Sequence, residues 1–151
     1  MEPTILHGGN ISPFTVDKAW GCETTFGISE SVALKKVILR PNESLSRQVH
    51  VFKNEIYAVL GGDGRLELGK RGEVVHLLVE GDAVYLPAGV THRLIAGREG
   101  ITIMEASTPE VTDIVRVEDS YGRRVNPHFD ARSYRKILGG EATEGAEPEA
   151  A

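Results

Sequence analysis

Gly81-Asp82-Ala83-Val84-Tyr85-Leu86-Pro87-Ala88-Gly89-Val90-Thr91-His92 decides the fold of this chain. A Gly-Asp turn launches a four-residue apolar run, Pro87-Ala88-Gly89 breaks it, and a histidine opens the next run. Proline and two glycines at this spacing exclude a helix, while a short strand between tight turns accommodates them. The stretch therefore reads as one strand of an all-β barrel with a histidine delivered to the rim.

Working outward, Pro41–Gly64 (PNESLSRQVHVFKNEIYAVLGGDG) holds the second informative pattern. Side chains alternate along a strand, so Gln48 and His50 project to the same side. Glu55 opens the next run across a short turn and can reach back to the same point. Short β-branched or alternating runs recur over Ala33–Arg40, Leu45–Val51, Glu55–Leu60, Arg65–Leu68, Val74–Val79, Ala83–Leu86, His92–Ala96, Ile101–Ala106 and Thr112–Val117. Strands at this spacing suggest a jelly-roll sandwich or barrel. Gly61-Gly62-Asp63-Gly64 is expected to form a tight hairpin, since glycine takes positive φ without steric cost. The expected organisation is an N-terminal arm with an entry strand over 1–30, a barrel over 31–125, a C-terminal helix ending 126–138 (Asp130–Leu138), and a disordered tail over 139–151. The tail carries four glutamates and no basic residue, with little to bury. Trp20 is expected to pack an end of the barrel with Phe14 or Phe26.

Composition limits the partners. A chain of 151 residues has room for one domain, and a formal charge of −5 argues against nucleic acid or an anionic membrane. No apolar run reaches the length of a membrane span, and MEPTILHGGN lacks the basic and apolar regions of a signal peptide. Cys22 is the single cysteine, which excludes an intrachain disulfide and fits a reducing cytoplasm. A cytoplasmic location is the expectation.

Gln48, His50, Glu55 and His92 offer one amide oxygen, two imidazoles and a carboxylate. Mixed N/O ligation without a thiolate suits one divalent transition metal: Zn, Mn, Fe, Co or Ni. Three or four protein ligands with positions left open is a catalytic pattern. Gln48 is the weakest of the four, because a neutral amide binds poorly. His7, His76 and His128 read as ordinary polar positions.

These residues resemble the cupins. Gly81-x5-Pro87-x-Gly89-x2-His92 is similar to the second cupin motif up to its histidine, with Ala96 where an Asn usually stands. His50, Glu55 and Gly62 resemble the first motif, with Asn42 in place of a usual Gly and Gln48 in place of the first His. Gln-x-His is a feature of the phosphomannose isomerase-like (mannose-6-phosphate isomerase type II) cupins. Ala19-Trp20-Gly21, Leu45-Ser46-Arg47-Gln48, Ser107-Thr108-Pro109-Glu110 and the closing segment Asp113–Arg123 resemble the same family.

The resemblance implies a cupin jelly-roll barrel that isomerises an aldose to a ketose on a hexose phosphate, mannose 6-phosphate to fructose 6-phosphate. A base must then carry a proton between neighbouring carbons. Lys35 stands where the family has a Lys, and a nearby cation would depress its pKa. Glu55 is the catalytic carboxylate as well as a ligand. Arg116 and Arg123 could fork onto a phosphate, or join Glu118 and Asp119 in a structural ion-pair network. Lys53 is a further substrate-binding candidate, or a solvated turn charge, and Tyr57 is placed to line the cavity. Arg93 should point away from His92, and Arg47 away from the metal, where a subunit contact could use it. The implied partners are a small-molecule sugar phosphate or related metabolite and a second copy in a homodimer. A non-catalytic sugar-binding module and an Fe(II) dioxygenase are the competing readings.

Overall fold

The computed structural model describes residues 9–131. They form nine strands: β1 (Phe14–Lys18), β2 (Gly21–Ile28), β3 (Ala33–Leu39), β4 (Arg47–Val49), β5 (Glu55–Leu68), β6 (Val74–Val79), β7 (Ala83–Leu86), β8 (His92–Ser107) and β9 (Val115–Glu118). The expected all-β architecture is present. The expected helix over Asp130–Leu138 and the tail lie outside the described residues, apart from Asp130 and Ala131.

All pairings are antiparallel, and the backbone path runs β1-β2-β3-β8-β4-β9 with β5 joining β8, β6 and β7. Two long strands close the structure by serving both of its layers. The first half of β5 pairs with β7 and with the second half of β8, while the second half of β5 pairs with β6 and with the first half of β8. The layers face each other across one core of Val37, Leu39, Val59, Leu66, Leu78, Leu94, Ile101 and Ile103.

The expected hairpin at Gly61–Gly64 does not form. The glycines lie inside β5, at register shifts between Val59 and Gly61 and between Gly62 and Gly64, where the strand bends from one layer to the other. Gly62 takes φ 75°, and a Cβ there would sit 2.1 Å from the carbonyl oxygen of Gly100. The glycines thus permit a bulged bend and the close approach of two strands. The same merger joins the runs at His92–Ala96 and Ile101–Ala106 into β8. Two further strands, β1 and β2, come from the first thirty residues and extend one layer. Trp20 is buried in the core, whereas Phe14 is exposed and packs no barrel end.

Asn42 takes φ 62°. Its left-handed backbone accounts for the Gly usual at this position in the resembled motif, since asparagine tolerates that conformation best among the other residues.

Candidate metal centre

Cross-strand register builds the site. Gln48 on β4 pairs with His92 on β8 and with Arg116 on β9, so the three side chains leave the same face. His50 follows two residues after Gln48 and points the same way, with Gln48 Nε2 3.5 Å from His50 Nε2. Glu55 opens β5 from the opposite layer.

His50, Glu55 and His92 are all buried, and one ligand atom from each lies within 4.8 Å of the others. His50 Nε2 is 3.1 Å and His92 Nε2 is 3.3 Å from Glu55 Oε2. A tetrahedral ion with bonds of about 2.0–2.1 Å separates its ligand atoms by roughly 3.4 Å, so these distances need only tenths of an ångström of adjustment.

The hydrogen bonds behind the rings decide what the atoms in front can offer. His50 Nδ1 donates to the backbone carbonyl of Asp113, and His92 Nδ1 donates to that of Val90 at 2.9 Å. With Nδ1 carrying the proton, each neutral ring turns an Nε2 lone pair inward. Glu55 Oε2 and His92 Nε2 are buried without a hydrogen-bond partner among the described residues. Lone pairs facing one another in a buried site repel, and a cation between them removes the conflict. The residues fit a divalent metal.

Gln48 presents its NH2 group to this centre, because its Oε1 accepts from Ser46 Oγ at 2.8 Å. Ligation through oxygen requires the amide to turn over. Ser46 Oγ can accept as readily as donate, so the turn keeps that hydrogen bond.

A cavity of about 160 Å³ opens onto Gln48, His50 and Glu55. Its walls carry the cations Lys18, Lys35, Lys53, Arg116 and Arg123, and the carboxylates Glu23, Glu55 and Glu105. Lys53 is buried, not solvated: its Nζ lies 2.9 Å from Glu55 and 3.3 Å from Glu105. Burial opposes the Lys53 charge, but Glu105 and Glu55 beside it outweigh burial and raise its pKa. Burial likewise opposes ionisation of Glu55, yet hydrogen bonding from Glu105 holds its carboxyl well below the usual range. Glu105 takes the opposite part, pushed up to about 8 by burial and by the neighbouring Glu55. Two buried carboxyls in contact share one proton, and Glu105 holds it.

Lys35 faces the cavity, with an ion pair of 3.1 Å to Glu23. Its nearest charged partner is thus an anion. Tyr57 lines the cavity and meets His92 edge-on, with ring centroids 6.3 Å apart. Its burial, with the Glu55 charge beside it, keeps the phenol protonated.

The expected closing-segment network divides. Arg123 forks onto Asp119 at 2.7 and 3.2 Å. Glu118 serves Arg47 and Arg93 instead. Arg116 has no ion-pair partner among the described residues, and its buried Nε has no hydrogen-bond partner there. Burial, then the nearby Arg123 charge, lowers its pKa. Arg93 points away from His92 as expected. Arg47 is buried within the fold between Glu67 and Glu118, so it offers no subunit contact. His76 and His128 are exposed.

Glu105 and Asp113 were missed as site residues. The sequence held a signal for Glu105: Ile101, Ile103, Glu105 and Ser107 fall on one face of an apolar run, and a charge on that face must be buried. Nothing local marked Asp113.

Residues 11–119 match the family described as mannose-6-phosphate isomerase C-terminal. Xanthan biosynthesis protein XanB of Xanthomonas campestris is 34% identical over 112 residues, covering 72% of this chain and 23% of that protein. Mannose-1-phosphate guanylyltransferase ManC of Salmonella typhimurium is 35% identical over 112 residues, with the same two shares of 72% and 23%. The chain thus spans about a quarter of the length of these relatives. Among solved structures, a Klebsiella pneumoniae protein with a double-stranded β-helix domain superposes with a TM-score of 0.57 at 16% identity, covering 76% of this chain and 91% of the other. Among the described residues, no helix is long and apolar enough to cross a membrane. With 109 consecutive residues matching, the chain belongs to the mannose-6-phosphate isomerase C-terminal family of cupin barrels.

Proposed function

We propose that this chain is a metal-dependent sugar-phosphate isomerase, converting an aldose phosphate to its ketose in the manner of mannose 6-phosphate to fructose 6-phosphate. One observation carries the reading: the Nε2 atoms of His50 and His92 converge on Glu55 Oε2, with His92 Nε2 and Glu55 Oε2 buried without a partner among the described residues, beside a cavity whose walls also carry Lys18, Lys35, Arg116 and Arg123. His50, Glu55 and His92 hold the ion, with Gln48 a fourth ligand once its amide turns. A divalent ion there supplies Lewis acidity, which polarises a carbonyl oxygen and stabilises developing negative charge.

The chain's own residues supply the remainder. Arg116, unpaired and beside Arg123, gives a phosphate a forked guanidinium and a second cation, with Lys18 across the cavity. Lys35 presents an ammonium to a substrate oxygen, and Glu105 holds a proton beside Glu55. Tyr57 is a neutral hydroxyl donor on the same wall. Lys53, engaged by Glu55 and Glu105, fixes Glu55 and also lines the cavity, where it stays a candidate to bind substrate. A homodimer, on resemblance, and a cytoplasmic location, on the single cysteine, complete the proposal.

The test is metal analysis of protein purified without a His tag, for wild type, His50→Ala and His92→Ala, followed by assay with mannose 6-phosphate. We expect one equivalent of metal in the wild type, lost in both variants together with fructose 6-phosphate formation. Tight sugar-phosphate binding without product would replace the isomerase with a binding module. Iron dependence with oxygen consumption would replace it with a dioxygenase.

A further inference from the structure

Asp113 lies in the turn before β9 and touches the metal centre from two directions at once. Its backbone carbonyl accepts the Nδ1 proton of His50, across 63 residues of sequence. Its carboxylate accepts three consecutive backbone N–H groups: Val51 at 3.0 Å, Phe52 at 2.6 Å and Lys53 at 2.9 Å. These residues directly follow His50 and lead to Glu55. The carboxylate therefore clamps the loop that carries two ligands, and the clamp sets where the carbonyl meets the His50 ring. The residues on either side of this clamp, Val111 and Ile114, line the cavity.

We propose that Asp113 is a positioning residue, which fixes the tautomer and direction of His50 by anchoring its own carbonyl to the loop it orients. The inference rests on the metal-centre reading for its effect on affinity, though not for its effect on the ring. An anionic acceptor of three N–H groups is replaced poorly by an amide, which has one acceptor oxygen, and not at all by alanine.

The experiment uses the full chain as wild type, Asp113→Asn and Asp113→Ala, with Asp82→Asn as control. Asp82 also caps a backbone N–H, that of Val79 at 2.8 Å, on the distant β6–β7 turn. Two readouts are taken. Zinc affinity is measured by chelator competition, and the His50 tautomer by nitrogen-15 NMR of the metal-free protein at a pH where the ring is neutral. We expect Asp113→Ala to weaken zinc about 10- to 100-fold, Asp113→Asn to lie between, and Asp82→Asn to match wild type. We also expect the single Nδ1–H tautomer of His50 to become a mixture in Asp113→Ala. A wild type that binds no zinc would remove the metal reading, while the tautomer would still decide the role of Asp113. An unchanged His50 tautomer in a folded Asp113→Ala protein would overturn the proposal. So would equal loss of zinc affinity in the Asp82 control.

Discussion

One pleat runs through two regions of opposite character. Along β3 the inward side chains read Ala33, Lys35, Val37, Leu39; along β8, from the paired end, Ser107, Glu105, Ile103, Ile101; along β5, Glu55, Tyr57, Val59. The half at Val37, Leu39, Val59, Ile101 and Ile103 is dry and held by packing. The half at Glu55, Glu105 and the histidines is as deeply set, with half-buried Lys35 beside it, yet held by pairing. Apolar packing degrades gradually when an atom is lost, because neighbours relax into the space. A buried polar cluster does not, since removal of one member strands the others in a low dielectric. The polar half is where the sequence departs from the barrel's own preference, and such departures mark function.

The sharpest way to break the contrast is Lys53→Met. It strands the ionised Glu55 without its cation, and should cost about 3–5 kcal/mol in urea unfolding of metal-free protein. Added metal should restore part of that loss by neutralising Glu55. A change below 1 kcal/mol would mean the cluster is not coupled through Lys53.

Leu94→Ala probes the dry half. Leu94 is fully buried, and its truncation should cost about 2–5 kcal/mol while metal content per folded molecule stays at the wild-type value. Loss of metal in this variant would show that the two halves are not separable.

Acid separates a third region from both. Hydrogen bonds from Arg123 hold Asp119 at about 2, below the unfolded value near 3.8. A depressed carboxylate stabilises the fold above the unfolded pKa, and that contribution, on the order of 2 kcal/mol, is lost as pH falls from about 4 toward 2. Unfolding free energies of wild type and Asp119→Asn should therefore differ at pH 7 and converge toward pH 2.

The smallest expected effect is at Asn42. Asn42→Val forces a β-branched residue into a left-handed backbone and should cost about 1–2 kcal/mol, whereas Asn42→Gly should be close to neutral. Thermal melts of the two variants would check this, and equal melting temperatures would show that the turn tolerates either residue.

Much of the barrel was legible locally. Val74–Val79 and Ala83–Leu86 were bounded to the residue, because turn glycines and Pro87 stop those strands. The glycine clusters misled, since a glycine permits a bend without saying whether the chain reverses or only bulges. Whether β5 stays paired across Gly62 depends on Gly100 opposite, which is far away in sequence.

The candidate ligands divide in the same way. His92 is oriented from within its own turn, by a carbonyl two residues earlier, so its motif is readable as a string. His50 is oriented by Asp113, and Glu55 by Lys53 and Glu105, through contacts that only the packed layers bring together. The sequence by itself determined a β-barrel with Gln48 and His50 on one face of a strand and Glu55 and His92 at strand starts, because alternation and turn chemistry are local. Tertiary structure alone decided which of their atoms stay free to bind, because a buried group's protons and lone pairs are assigned by the neighbours that surround it.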